Sequence, residues 1–361
     1  MKRLVGRVLL QAAGSLDKGC RLVEQGFQPG SCLVYRDAVR DLACRATLKW
    51  EKGIPYRLIH SYAHKAPECY LSIYQSGCNW SCKKCHSWRF SQHASGEWMS
   101  PTDIATLAKK YAELHKGDMY REPKERATSW HAHDLCHTCG SCILRGERSK
   151  HCPRKLSLDQ MTLLDNGVWG PARNIISFTG GDLACQPEFY ERATTEIKNL
   201  EMDLWVLFET NGYGLTPRNL DLFSEAGIDS FWLDIKAYDE KVHKNLTGAS
   251  NKWILRLPSE IFGREFTQEV SSVYIPGWVE TDELRSIAAS LAQVDPEIPY
   301  AIIAFLPEHQ LSHVPPPSFQ QMVEAYNAAR DSGLKKVRLD NIGLFVRTTE
   351  EYEVLASIGA V

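Results

Sequence analysis

Cys78, Cys82 and Cys85 lie in the stretch Ser76-Gly-Cys-Asn-Trp-Ser-Cys-Lys-Lys-Cys-His-Ser-Trp88, three thiols at spacing CxxxCxxC. They follow the strand-like run Tyr70-Leu-Ser-Ile-Tyr74, so a loop at a strand end can fold them around one face of an inorganic cluster. Three thiolates hold three irons of a 4Fe–4S cube, whereas a closed site takes four ligands. The fourth iron is then open to a substrate or cofactor, which is a catalytic arrangement. Zinc competes for such thiols, but its structural sites take four protein ligands, usually as spaced pairs. The spacing points to an enzyme.

The elements that must carry this loop can be read along the chain. At 361 residues there is room for one large α/β domain with an appendage, or for two domains. Ser100-Pro-Thr-Asp103 opens a helix, with a Ser cap, Pro in the first turn and an acid near the positive end of the dipole. Ile104, Leu107, Tyr111 and Leu114 then repeat at helical spacing. From Asn174 onward, short apolar runs alternate with amphipathic stretches. Strands are predicted at 174–178, 204–208, 230–234, 270–275, 300–305 and 336–339, and helices near 187–200, 217–226, 280–292 and 319–330. This alternation predicts parallel βα units and an α/β fold; six or so units suit a partial (β/α)6 barrel better than a flat doubly wound sheet, a choice that spacing alone does not make. The barrel core is predicted over 67–345, between an N-terminal extension (1–66) and a C-terminal tail (346–361), with a Cys-rich insertion at 118–172.

The extension has no strong motif. Cys20, Cys32 and Cys44 are spread through it and Cys69 follows; a metal site is conceivable, but the reading adopted is buried small hydrophobes. The opening Met1-Lys-Arg-Leu-Val-Gly-Arg-Val-Leu-Leu10 is interrupted by Arg7, which suits an amphipathic element better than a signal peptide.

In parallel α/β barrels chemistry sits where strands end. The predicted strands end in Thr179-Gly-Gly-Asp182, Glu209-Thr-Asn-Gly212, Asp234-Ile-Lys236, Pro276-Gly-Trp278 and Pro307-Glu-His309. One glycine-rich end is only a turn. A whole set, with a candidate iron site, reads as a pocket.

On these residues the chain resembles the radical S-adenosylmethionine (SAM) superfamily. Within it, the likeness is to activating enzymes of glycyl-radical proteins, such as pyruvate formate-lyase activating enzyme. Cys78, Cys82 and Cys85 match the cluster motif, and Gly180-Gly181-Asp182 is similar to the GGE motif that contacts the SAM amino group. Asp for Glu shortens that arm and keeps its charge. Glu209-Thr-Asn-Gly212, including Asn211, is similar to a DTNG segment, and Trp232-Leu-Asp-Ile-Lys236 to a strand with a DLK signature. Leu246-Thr-Gly-Ala-Ser-Asn251 and Tyr274-Ile-Pro-Gly-Trp278 follow in the same order, so the likeness covers about residues 68 to 343. It implies that Asp234 and the acid at 209 help hold a cation near SAM and that Lys236 lies close to the cofactor. It also implies that His309 corresponds to a SAM-contacting His. Glu209 in place of Asp moves the oxygens of that cation site. The implied reaction is reductive cleavage of SAM, then removal of a hydrogen atom from a substrate.

Cys136-His-Thr-Cys-Gly-Ser-Cys142, with Cys152-Pro153 after it, resembles half of a bacterial ferredoxin. With one half present, Cys136, Cys139, Cys142 and Cys152 must serve one site, read first as a second 4Fe–4S cluster. Zinc is the rival, because His131, His133 and His137 crowd the same stretch. Ferredoxin-like insertions between the first helix and the GGE strand occur in several activating enzymes.

Net charge of −2 gives no support to a nucleic-acid or anionic-membrane partner, and no apolar run nears the ~20 residues of a membrane span. Twelve cysteines are too sparse for a disulfide scaffold, and their clustering suits the cytoplasm, in an anaerobic host if the cluster is exposed. The expected partners are a protein or peptide substrate and an electron donor such as ferredoxin or flavodoxin. Two uses of the substrate radical are open: storage on a backbone Cα, or methylation by a bound cobalamin, as in enzymes that modify the glutamine of methyl-coenzyme M reductase. An iron–sulfur carrier without a substrate is the third reading, and the SAM-pocket landmarks argue against it.

Overall fold

The computed structural model describes residues 20–65, 68–122, 128 and 130–361, so the predicted amphipathic start lies outside the described residues. At its centre are seven parallel strands: β5 (Tyr70–Gln75), β10 (Ile175–Gly180), β11 (Trp205–Thr210), β12 (Ser230–Asp234), β13 (Thr267–Tyr274), β14 (Tyr300–Ala304) and β15 (Val337–Asp340). Each pairs in parallel with the next. Helical crossovers join them, making six βα units and a closing strand, an incompletely closed barrel. Near-continuous burial along β5 and β10 is what a parallel strand covered on both faces requires.

The crossover helices start where local chemistry dictates. Ser100 Oγ accepts from Asp103 N–H at 3.2 Å while Asp103 accepts from Ser100 N–H at 2.8 Å, closing a capping box on helix Pro101–Leu114. Ser318 closes a capping box with Gln321 on helix Phe319–Asp331, and Thr216 caps helix Pro217–Ala226 by accepting from Asn219 N–H alone. Between sheet and helices, the rings of Phe178, Tyr190, Phe208 and Phe223 pack at 4.8–6.4 Å. Each is fully buried, which stabilises the fold by roughly 1.5–3 kcal/mol per ring.

The N-terminal segment is more than an appendage. β3 (Leu48–Glu51) and β4 (Ile54–Lys65) continue the sheet antiparallel beyond β5, and β6 (Glu97–Met99) pairs with β4. A separate hairpin, β1 (Leu33–Arg36) and β2 (Val39–Leu42), lies before them.

Between β5 and β10 a small sheet forms from β7 (Met119–Tyr120), β8 (Met161–Leu163) and β9 (Trp169–Arg173). It has its own apolar cluster of Leu135, Leu156 and Met161. Arg173 Nε donates to Glu122 at 2.6 Å, Trp130 N–H donates to Glu269 at the start of β13, and Arg338 at the start of β15 covers the Trp130 ring at 4.6 Å. The insertion is thereby fastened at the end of the barrel where the strands begin.

Candidate functional site

At the opposite end, β5 runs into the Cys78 loop, which is fixed from below. Arg57 of β4 is fully buried, and its guanidinium donates to the carbonyls of Thr47, Ser76 and Gly77 and to the Tyr190 hydroxyl. Asn79 N–H donates to the Asp182 carbonyl at 2.8 Å, joining the Cys loop to the segment after β10. Gly181 must lack a side chain, because a Cβ there would stand 2.2 Å from the Gly77 carbonyl oxygen.

A cavity of about 250 Å³ opens at this mouth. Cys78, Cys82 and Cys85 line it, together with Gly180, Asp182, Glu209, Asn211, Asp234 and Lys236. Strands adjacent in the sheet therefore bring together nine of the residues singled out from the sequence. Gly181 lies just behind, against the Cys loop. His309 is not in the lining; at φ +53° it stacks on Trp88 with ring centroids 5.0 Å apart.

The acids divide into two kinds. Asp182 is held in place: its oxygens accept from Ala184 N–H (2.8 Å), Thr210 Oγ1 (2.6 Å) and Asn211 N–H (2.9 Å). Burial pushes its carboxyl up, and those donors oppose the shift. Its short arm braces the turn at the head of β10. Glu209 is held by hydroxyls, from Tyr70 and Ser177 at 2.9 Å and Thr179 at 2.6 Å, and burial raises it too. Asp234 differs. Burial pushes its carboxyl up, but the ammoniums of Lys236 and Lys84 outweigh burial and hold it below the usual carboxylate range. Lys236 contacts Asp234 directly and Lys84 stands 3.8 Å away, so lysines occupy the cationic place beside Asp234.

Two buried polar atoms of the cavity lining have no hydrogen-bond partner among the described residues: Asp234 Oδ1 and Trp232 Nε1. Buried polar groups are rarely left so, and a polar ligand would satisfy them. Three thiols on one wall with an unsatisfied donor and acceptor around them fit a cluster with SAM. The lining also holds Lys84, Thr179, Thr210, Trp232 and Ser271, to none of which the sequence reading assigned a role. Two signals were available: Lys84 lies inside the triplet, and period two along β10 sets Ser177 and Thr179 on one face.

Cys136, Cys139, Cys142 and Cys152 line one hollow of about 20 Å³. Cys69 Sγ and Thr138 both abut the Cβ position of Gly170, which puts this group beside the residue preceding β5, while Cys78 follows β5. At about 3.3 Å per residue, the strand between them spans roughly 20 Å. His133 and His137 border a neighbouring cavity with Cys139; the side chain of His131 lies outside the described residues. Among the described residues, no three His, Cys, Asp or Glu side chains meet the geometry of a single-ion site.

The scattered cysteines divide otherwise than the sequence reading grouped them. Cys69 goes with the Cys136 group, whereas Cys20, Cys32 and Cys44 converge with Cys185, which lies three residues past Asp182. Cys185 is in the hydrophobic core and Cys20, Cys32 and Cys44 pack against it partly buried, as expected; in addition all four line one cavity.

A family model for the radical SAM superfamily matches residues 137–291, a span that holds the strand-end residues from Gly180 to Lys236 and begins after the Cys78 loop. The 4-hydroxyphenylacetate decarboxylase activating enzyme of Clostridium scatologenes is 27% identical over 216 residues, 57% of this chain and 67% of that protein. A Methanocaldococcus jannaschii protein named as a glycyl-radical enzyme activating enzyme is 30% identical over 161 residues, 43% of this chain and 58% of that one. Among solved structures, a domain of pyruvate-formate lyase-activating enzyme from Bacteroides vulgatus covers 46% of this chain and 98% of its own, at 20% identity and a TM-score of 0.39. The chain carries a radical SAM domain. It is homologous to the activating enzymes of glycyl-radical enzymes.

Proposed function

We propose that this chain is a glycyl-radical enzyme activating enzyme, acting on a protein substrate from which it removes a backbone Cα hydrogen atom. One observation carries the reading: the CxxxCxxC thiols and the polar ends of β10, β11 and β12 converge on a single cavity. Cys78, Cys82 and Cys85 would hold a 4Fe–4S cluster with one iron left for SAM. Cluster and SAM together supply one-electron cleavage of the sulfonium and hydrogen-atom abstraction.

The chain's own residues bind and orient. Asp234, kept ionised by Lys236 and Lys84, offers Oδ1 as an acceptor, and Trp232 offers its indole N–H. Glu209 points among hydroxyls rather than towards Asp234, so in this reading Lys236 and Lys84 do the work of the expected cation. Asp182 fixes the head of β10, leaving Gly180 and Asn211 at the cavity wall for the amino-acid end of SAM. His309, stacked on Trp88, would meet the cofactor or substrate only from the rim.

The Cys136 group would hold the second cluster, with zinc as its rival. Its position at the strand-start end suits stabilisation of the insertion, or a docked partner there, better than contact with SAM. A ferredoxin- or flavodoxin-type donor would supply electrons, and the cytoplasm is the compartment that suits exposed clusters. No helix among the described residues is long and apolar enough to cross a membrane.

The test is anaerobic incubation of reconstituted protein with SAM, a strong reductant and a candidate glycyl-radical partner, followed by electron paramagnetic resonance (EPR). A backbone glycyl radical on the partner, with 5′-deoxyadenosine formed in step, is the expected outcome. Deoxyadenosine without that radical, in protein holding one corrinoid per chain, would transfer the reading to methylation.

A further inference from the structure

A second set of four cysteines stands beside the mouth, unannounced by any motif. Cys20 begins the short helix Arg21–Glu24, Cys32 precedes β1, Cys44 lies in the helix after β2, and Cys185 follows the Gly180-Gly181-Asp182 turn. From these four separate places all of them reach one cavity of about 390 Å³, and none is in a disulfide. That volume is in the range of cofactor sites and far above the voids that packing leaves in protein interiors. The four thiols pack at the edge of the hydrophobic core and also face this space.

The cavity is built into the mouth rather than set apart from it. Ala43 N–H donates to the Cys32 carbonyl at 2.7 Å, bringing Cys32 and Cys44 side by side. Ser81 of the Cys78 loop donates its N–H to Ser31 Oγ at 2.9 Å and its hydroxyl to the Ser31 carbonyl at 2.6 Å. Gly30 presses so closely that a Cβ there would lie 2.1 Å from the Asn79 carbonyl oxygen. Asn79 lines this cavity, while its Oδ1 accepts from Asn211 of the other at 2.6 Å. Arg45 also lines it and supplies a positive charge, which an anionic thiolate-bound cluster needs nearby.

We infer that Cys20, Cys32, Cys44 and Cys185 hold a further iron–sulfur cluster of the 4Fe–4S class. The four thiols line a chamber of about 390 Å³, room for a polynuclear cluster where a single zinc would fill only a small part. Four thiolates leave no iron open, so this cluster carries electrons and does not bind SAM. The site stands whether the substrate is a glycyl-radical protein or another.

The test compares iron, acid-labile sulfide and zinc per chain in anaerobically reconstituted wild type and in Cys32→Ser/Cys44→Ser. The expected result is loss of about four irons and about four sulfides per chain, with the SAM-responsive EPR signal of the remaining cluster retained. Unchanged iron in the double variant overturns the inference, as does loss of one zinc in place of iron. If the double variant does not fold, as judged by circular dichroism, a reciprocal variant decides. In it the seven cysteines of the other two groups are replaced by Ala. About four irons with sulfide in that protein support the site, and a metal-free protein overturns it.

Discussion

Two groups of four cysteines lie at opposite ends of the same barrel. Cys136, Cys139, Cys142 and Cys152 are close in sequence and surround a hollow of about 20 Å³ beside the residue that precedes β5. Cys20, Cys32, Cys44 and Cys185 are scattered over the chain and surround about 390 Å³ against the loop that follows β5. The group with the recognisable spacing is remote from the proposed chemistry, and the group without one adjoins it. Compact spacing marks a site that a single loop can build. A site assembled from several elements leaves no local pattern, because its ligands are brought together by the sheet.

The largest effect expected tests this division. Cys82→Ala should abolish 5′-deoxyadenosine formation, whereas Cys139→Ala should leave the SAM-responsive cluster and a substantial share of the cleavage intact. Equal loss in both, measured by product chromatography, would erase the distinction between the two ends.

Arg57→Met should cost next most. It strips buried carbonyls of Thr47, Ser76 and Gly77 of their donor, at about 3 kcal/mol by thermal or denaturant unfolding. Because Arg57 braces the Cys78 loop and the segment just after Cys44, iron should fall at the mouth and not in the Cys136 group. Metal analysis of the variant checks this.

Asp234→Asn sharpens the role of the mouth. It leaves Lys236 and Lys84 facing each other without their carboxylate, and SAM should bind roughly tenfold more weakly, equivalent to about 1.4 kcal/mol. Equilibrium binding of SAM to the reconstituted variant reads the change, while iron content should stay at the wild-type level.

The smallest effect belongs to the strand-start end. Burial, then Glu209, pushes the carboxyl of Glu68 up from 4.5 to about 7. A carboxyl raised on folding favours the folded state fully below its unfolded value, and that contribution is lost as pH rises through the folded one. Stability should therefore decline between about pH 4.5 and 7, and Glu68→Gln should flatten the decline. Unfolding midpoints of both proteins across that range are the check; an identical slope would contradict it.

The βα alternation was legible because buried parallel strands need apolar runs. Those near 205–208, 230–234 and 300–304 appear with their predicted helices between them. Strand-end residues were legible for the same reason: once a strand is placed, its polar terminus must face the mouth. β3 and β4 were not, since burial along them is irregular and neither they nor the stretch before them carries a motif, yet Arg57 of β4 holds the Cys78 loop. The direction of an acid was equally hidden. Asp182, Glu209 and Asp234 all end strands, but only Asp234 is left with a free oxygen, because the hydroxyls that occupy Glu209 come from β5 and β10. Such partners are fixed by sheet order, which spacing does not encode.

The most direct measurement of the central claim, an iron at the Cys78 triplet left open for SAM, is EPR of the dithionite-reduced protein before and after SAM is added. The expected result is a cluster signal that shifts with SAM in the wild type and is missing in Cys82→Ala. A signal that SAM leaves unmoved, or zinc in place of iron at the triplet, would contradict it.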